Sequence, residues 1–388
     1  MLVTLFQHYL VLIVSCTSVV IAFLNIFHFM RPKGLAELNI GMSESGLISI
    51  LIPARNEEDR IGLCLEALRN QTYEPLEILI LDDNSTDRTG EIVNEHVSSD
   101  SRVRLISGKE TPDGWVGKNW ACHQLSGEAL GKYILFIDAD TILSRDTVQI
   151  SLVNSKQCDA DLLTMMPRRI AGCFVERLLY PFVDWAIFCW IPFGAARRLK
   201  SPFLSASFGQ FLLFKKASYQ FLGGHLAISA NPLDDFELGR ATKKNGLTWA
   251  LYDGVQLIEV LPYSGNMAAI KGISRSVFPA MNYRFTILTA LSLVCLALVA
   301  VPTVNLVLAV AVYSERAHYT VVACVSIGMI ALSWLVVCRR FHHNTLSVPF
   351  YWVSILLIVF VAWHSAVSYS MGLTKWRGRT LGKPKVRF

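Results

Sequence analysis

Charge is scarce in this chain. Asp, Glu, Lys and Arg make up 17% of its 388 residues, while 53% are hydrophobic. Soluble domains are usually about a quarter charged. The shortage excludes a disordered protein and implies that part of the chain sits in a membrane. No CxxC occurs, and no His stands at ligand spacing from any of the nine cysteines, so neither a zinc site nor a disulfide framework is expected. Reduced thiols on a cytosol-facing body fit better. G-x-S-x-G and HExxH are missing, and no GxGxxG opens the first helix, which disfavours a dinucleotide cofactor. Gly114-Trp115-Val116-Gly117-Lys118-Asn119-Trp120 falls short of a Walker A loop, because Pro112 and Asn119 stand where Gly and Ser or Thr are required. Lys118, near a helix start, is still placed to meet a phosphate. Acid is absent from the end of the chain. Lys375, Arg377, Arg379, Lys383, Lys385 and Arg387 follow Met371, and these six equal the whole net charge of +6. So local a surplus points to a membrane surface, not to nucleic acid.

Long apolar runs are what the chain has instead. Residues 5–29 carry no formal charge and are long enough to span a bilayer. Arg31 and Lys33 follow, so 1–30 is read as a retained anchor with a cytoplasmic body after it. Three more runs, 285–313, 319–337 and 350–371, make 285–371 a C-terminal membrane region, with 372–388 a basic tail. Four simple crossings would set the body and the tail on opposite sides. Since 285–313 is overlong and holds Pro302 in its middle, a re-entrant pair is the alternative there. The apolar stretch 175–193 contains Asp184, Pro181 and Pro192. A charge at the bilayer centre costs about 2.5–3.5 kcal/mol on insertion scales. Interfacial helices near 173–200, aromatic face in lipid, are therefore expected rather than a crossing.

The body, 47–284, is long enough for one large α/β domain. Apolar strands at 47–52, 76–81, 103–106 and 133–137 alternate with helical spacing, as at Ile61, Leu65 and Leu68. Ser85 is expected to cap the helix carrying Ile92, Val93, His96 and Val97. The pattern predicts a mostly parallel sheet that binds its ligand at the strand C-terminal ends. Acids gather there. Asp82 and Asp83 end one strand, and Asp138-Ala139-Asp140 ends another. Residues two apart on extended chain point the same way, so Asp138 and Asp140 can face one Mg²⁺ or Mn²⁺ together with substrate phosphates. An EF-hand is excluded, since Ile142 stands at the third ligand position. Asp234-Asp235 reads either as an acidic helix N-terminus or as a pair whose mutual repulsion suits one of them to act as a base.

Together these segments resemble family 2 glycosyltransferases of the GT-A fold. The resemblance rests on SILIPARNEE (49–58), LDDNSTD (81–87), FIDADT (136–141) and DDFELGR (234–240). The stretches 114–120 and 207–224, with the terminal Trp376-Arg377-Gly378-Arg379, are similar to a membrane-anchored bacterial branch acting on carotenoids and hopanoid-type lipids. The resemblance implies an α/β GT-A domain with transmembrane helices at both ends, in a multi-pass protein of the cell membrane. It implies metal-dependent, inverting transfer of one sugar from a nucleotide-sugar donor, UDP-linked by preference, to a membrane lipid acceptor. Asp83 would hold the base, Asp138 the ribose and Asp140 the metal, with Asp138 also at the metal. Pro53, Arg55, Asn56 and Glu57 would close over the nucleotide. Asp235, beside Asp234, would be the catalytic base. Gly209, Gln210 and His225 are candidates for the acceptor side, although His225 is better read as a satisfied surface or core histidine. The Q-x-x-R-W motif of processive synthases is absent, which favours single-sugar transfer. Leu261-Pro262-Tyr263 stands where relatives often carry an Arg for the diphosphate, a role open to Lys271 or Arg275. Transfer to polyprenyl phosphate, and a non-enzymatic scaffold or transporter, are the competing readings.

Overall fold

The computed structural model describes residues 2–34, 46–311, 317–382 and 386–387, so Tyr313, Lys383 and Lys385 lie outside the described residues. The chain begins with α1 (Leu2–His28). An alternating region follows: β1 (Ile48–Ala54), α2 (Ile61–Arg69), β2 (Leu76–Asp82), α3 (Thr89–Ser99), β3 (Val103–Ser107), α4 (Gly117–Glu128) and β4 (Tyr133–Phe136). Next come β5 (Thr141–Leu143), α5 (Thr147–Gln157), β6 (Leu162–Met166), β7 (Arg168–Arg169), α6 (Phe174–Phe188) and α7 (Phe193–Arg198). The body closes with β8 (Leu212–Lys215), α8 (Lys216–Phe221), α9 (Asp234–Lys244), β9 (Trp249–Asp253), β10 (Ile258–Val260) and α10 (Asn266–Ala280). Three long helices, α11 (Phe285–Ala311), α12 (Ala317–Arg340) and α13 (Tyr351–Ser370), precede a hairpin of β11 (Lys375–Trp376) and β12 (Arg379–Thr380).

The main sheet has seven strands in the order β3-β2-β1-β4-β8-β6-β9. All pairings are parallel except the two made by β8. Every residue of β1 is buried, which explains its unbroken apolar run: helices cover both faces of the sheet. The order turns back between β1 and β4, so the loops leaving β1, β2 and β4 come together at one edge, where open α/β sheets bind ligands. Because β8 runs antiparallel to β4, its leading residues Gly209 and Gln210 arrive at that same edge.

Ser85 does not cap α3. It lies four residues before the helix, and its hydroxyl accepts the Asn56 N–H at 3.0 Å. Asp87 does the local work, accepting from the Thr89 N–H at 3.0 Å. Two neighbouring strand-end loops compete for this short segment, and the longer-range bond takes the serine.

The apolar helices depart from expectation in two ways. The stretch from Phe285 is one continuous helix through Pro302, not a re-entrant pair. The aromatic face of α6 does not point to lipid. Trp185 and Phe188 are buried, and Trp185 donates to Ser333 Oγ of α12 at 2.8 Å. Helix α13 packs on both α11, through Trp363 and Ser292 Oγ at 3.1 Å, and the body. Its Ile358 and Val361 pack on Val175, Leu179 and Ala269 of α6 and α10, and Ser365 and Tyr369 bond the backbone of α10. A run of about 20 apolar residues fits a bilayer by length, but length does not fix direction.

Asn25 ties α1 to the body. Its amide donates to the carbonyls of Phe188 at 2.7 Å and Ile191 at 2.8 Å, and its oxygen accepts the Phe193 N–H at 2.8 Å. Asp184, fully buried in α6, is held by Arg169 and by His343 at 2.7 Å, which is how a charge is tolerated in that apolar stretch. Asn25→Leu should strand three backbone groups and cost about 3 kcal/mol. The check is a thermal melt of the detergent-purified variant, with a lowered midpoint expected.

Candidate active site

Two strand-end loops are laced together. Asn56, in the left-handed region at φ 52°, accepts the Thr86 N–H at 2.8 Å, and Thr89 Oγ1 accepts the Glu57 N–H at 2.8 Å. Arg55 reaches across to the carbonyl oxygens of Asp83 and Asn84. Pro53 continues β1 and pairs with Leu81 of β2. The 53–57 segment is thus fixed to its neighbour before any ligand arrives. Asp83 is 1% exposed. Its Oδ2 accepts from Arg379 at 2.6 Å, and its Oδ1 is buried with no partner among the described residues. Burial pushes this carboxyl up, and Arg379 pulls it back.

The second group of acids surrounds Lys118. Its ammonium lies 2.8 Å from Asp138 Oδ1 and 3.2 Å from Asp234 Oδ2. Burial would lower its pKa, but the two carboxylates outweigh burial and raise it well above the usual value. Lys118 therefore pairs with acids at the cleft floor, whereas a phosphate contact was the sequence expectation. Gln210 donates to Asp138 Oδ2 at 3.4 Å. Gly209 allows the closest approach here: a Cβ on it would stand 3.2 Å from Lys118 Nζ and 3.6 Å from both Asp138 Oδ2 and Asp235 Oδ2. Its N–H donates to Asp235 Oδ2 at 2.9 Å.

Asp234 and Asp235 open α9, so both sequence readings hold at once: an acidic helix N-terminus, and a carboxyl pair in the cleft. The two differ in environment. Burial raises Asp234, but Lys118 and His225 overcome it and hold the carboxyl well below the usual range. Asp235 is pushed up to about 7, by burial first and by ionised Asp234 second. One acid stays charged and the other is poised to take a proton. Asp140 is likewise pushed up to about 7, by burial and then by Asp138 and Glu57. Its Oδ1 is buried without a partner among the described residues. An orphaned carboxylate oxygen beside Asp138 suits a hard divalent cation, so the residues present fit the metal expected from the sequence.

His225 does not line an approach for the acceptor. It is fully buried. The Tyr219 hydroxyl accepts the His225 N–H at 3.0 Å and lies 2.7 Å from Nδ1. The hydroxyl proton then goes to Nδ1, and Nε2 carries the ring proton toward Asp234 Oδ2 at 3.6 Å. Burial lowers the His225 pKa, which keeps the ring neutral. Its role is to back Asp234. Cys122, His225 and Asp234 also bring possible metal-ligand atoms within 4.8 Å of one another, although they lie far apart in sequence. Lys118 already neutralises Asp234 there, and burial keeps the Cys122 thiol protonated, so this cluster is a poor cation site.

Sequence reasoning missed the C-terminal hairpin. Arg377 pairs with Glu57 and Arg379 with Asp83. The absence of acid in the tail was the available signal, since cations without local partners must find them elsewhere.

Parallel strands, strand-end acids and an acidic helix start thus meet at one edge of the sheet. Residues 49–218 match the model of glycosyl transferase family 2. Proteins named 4,4'-diaponeurosporenoate glycosyltransferase from Staphylococcus aureus strains bovine RF122 / ET3-1 and USA300 are each 28% identical to it over 252 residues. The match covers 63% of this chain and spans 63% of the length of those curated relatives. A mannosyltransferase from Pyrobaculum calidifontis, solved in complex with GDP-Man and Mn2+, superposes with a TM-score of 0.52 at 16% identity, over 89% of this chain and 99% of that one. The fold is thus of the GT-A type, with apolar helices near both ends.

Replacing Lys118 by Met should remove the cation shared by Asp138 and Asp234 and cost about 3 kcal/mol at neutral pH. Asp234 has a depressed folded-state pKa, so its stabilisation is present above the ordinary carboxylate range and lost as pH falls. The gap between wild type and variant should therefore narrow below about pH 4, as read by thermal melts across pH.

Proposed function

We propose that the protein transfers one sugar, with inversion, from a UDP-sugar to the hydroxyl of an isoprenoid membrane lipid such as a carotenoid. The observation that carries this reading is Asp235, a carboxyl raised to about 7 at the start of α9, across the cleft from Asp138. A base near neutral pH suits removal of a proton from a hydroxyl. An acceptor that is already an anion, a carboxylate or a phosphate, needs no such base. The relatives' printed name, that of a carboxylate, supports an isoprenoid acceptor but not its hydroxyl, which rests on Asp235 alone; the GDP-Man and Mn2+ complex of the structural neighbour supports a nucleotide-sugar donor and a divalent metal.

In this reading Asp83 receives an N–H of the base through its open Oδ1, and the 55–57 loop holds the nucleotide against β1. Asp140, with Asp138, would hold Mg²⁺ or Mn²⁺, which supplies charge stabilisation for the departing nucleoside diphosphate. Lys118 keeps Asp234 ionised, and Asp234 in turn keeps Asp235 basic. Gly209 leaves room for the sugar and fixes Asp235 by its N–H. Asp235 takes the acceptor proton as the oxygen attacks the anomeric carbon.

Four helices among the described residues are long and apolar enough to cross a membrane. We assign the crossings to α1, α11 and α12, with α13 in the interface and the body cytoplasmic. Helix α11 leaves the body at Phe285, and α12 returns to it where Arg340 meets Asp253 and His343 meets Asp184. Two crossings after the body put the basic tail back on its side, in keeping with the positive-inside bias. A tag fused after Phe388 should be labelled only from the side that also labels the body. Labelling from the opposite face would overturn the assignment.

Nucleoside diphosphate release should be measured with UDP-glucose, UDP-N-acetylglucosamine, UDP-galactose and GDP-mannose, each with Mg²⁺, Mn²⁺ or chelator and host lipid extract. Metal-dependent release from one donor is expected. Asp235→Asn should lower kcat about 1,000-fold while UDP binding persists; full activity in this variant would point to an anionic acceptor. The acid limb of kcat/KM should fall below about pH 7, because protonated Asp235 is no longer a base. In Asp234→Asn that limb should move to lower pH, since the neighbouring charge that helps raise Asp235 is gone.

A further inference from the structure

The C-terminal hairpin sits at the donor end of the cleft. Its turn residues Arg377 and Gly378 have φ of 44° and 85°, the two positive values that a two-residue type I′ hairpin turn requires. Left-handed backbone is unfavourable for an arginine, so this conformation is held by its surroundings. The Arg377 carbonyl accepts from Arg55 Nε at 3.0 Å, and its guanidinium meets Glu57. Arg379 bridges Asp83 at 2.6 Å and the Thr111 hydroxyl at 2.9 Å. Trp376 lies against Gly117, where a Cβ would stand 3.4 Å from its ring.

The placement of these two cations follows the long axis of the donor. Asp83 marks the base end. Asp138 and Asp140 mark the metal end, and Glu57 feels the charge of Asp138. Glu57 is bonded into the loop beside Asp83 and feels Asp138, so it stands near both ends, and the segment of a nucleotide-sugar between its base and its metal is the diphosphate. An anion cannot be laid against carboxylates alone. Arg55 and Arg60 also stand there, but Arg55 is spent on backbone carbonyls and Arg60 bonds the Pro262 carbonyl at 2.8 Å; Arg377 and Arg379 bond carboxylates, and a guanidinium offers five donors, enough to hold a carboxylate and a phosphate oxygen together. Arg275, a candidate from sequence, bonds Tyr263, which itself feels Asp140 and Asp138, so it stands toward the metal end.

We propose that Arg377 and Arg379 bind the diphosphate of the donor, so that the C-terminal hairpin completes a donor site whose other walls come from β1, β2 and β4. This rests on the nucleotide-sugar reading. Neither arginine lies within the family-model match, which ends at residue 218.

The test compares two ligands on the full-length, detergent-purified protein with Mg²⁺: UDP, which has the diphosphate, and uridine, which lacks it. Arg377→Gln and Arg379→Gln should each weaken UDP at least tenfold and change uridine less than twofold. Arg377→Lys and Arg379→Lys, which keep the charge and spare the fold if glutamine does not, should recover part of the loss. A parallel weakening of both ligands, or no change in either, would overturn the proposal, because a merely structural hairpin cannot tell UDP from uridine. Failure of the wild-type protein to bind either UDP or GDP would instead remove the nucleotide reading beneath it.

Discussion

Carboxylates crowded into one cleft repel one another, and this repulsion organises the rest of the structure. Glu57, Asp83, Asp138, Asp140, Asp234 and Asp235 all come from strand ends or a helix start at one edge of the sheet. Unit charges about 4 Å apart interact by several kcal/mol at the dielectric of a protein surface. Each acid is therefore either given a cation or left able to hold a proton. Lys118 serves Asp138 and Asp234, Arg60 and Arg377 serve Glu57, and Arg379 serves Asp83. Asp140 and Asp235 receive no direct ion pair among the described residues, and these are the two pushed up to about 7. The division separates fixed negative charge from groups free to take up a metal or a proton. It arises from where the cations are, not from any difference among the acids.

The parts of the fold that were legible in the sequence are those set by local period. Strands buried on both faces read as short apolar runs, and acids directly after them must lie at strand C-terminal ends. Hence Asp83, Asp138 and Asp140 were placed at one edge from sequence alone. What was not legible depends on contacts between distant segments. Ser85 resembles a helix cap until one knows that Asn56 stands beside it. His225 carries no spacing that reveals Tyr219 and Asp234 on its two nitrogens. The aromatic residues of α6 suggest a lipid-facing surface by composition, yet Trp334 and Ser333 of α12 cover them. Arg379 and Asp83 are separated by 296 positions, and no local rule connects them.

The same distance explains why the membrane topology could not be read from hydropathy. A 20-residue apolar helix meets the length requirement of a crossing whether it stands upright or lies flat. The deciding evidence is what its two ends touch. Helix α13 follows directly on the segment where His343 reaches Asp184, and it leads into the hairpin where Arg379 reaches Asp83. Between them its buried face packs along α6 and α10, both parts of the body. It packs on α11 too, where Trp363 donates to Ser292 Oγ at 3.1 Å, and both its ends being on one body is the basis of its proposed interfacial placement. Trp376, Leu381 and Val386 of the tail pack with Phe278, Leu288 and Tyr369 of α10, α11 and α13. Arg377 and Arg379 are thereby mounted on apolar helices. Under the proposed function that mounting would join the two substrates' sites mechanically, because displacing those helices would also withdraw the two cations from Glu57 and Asp83.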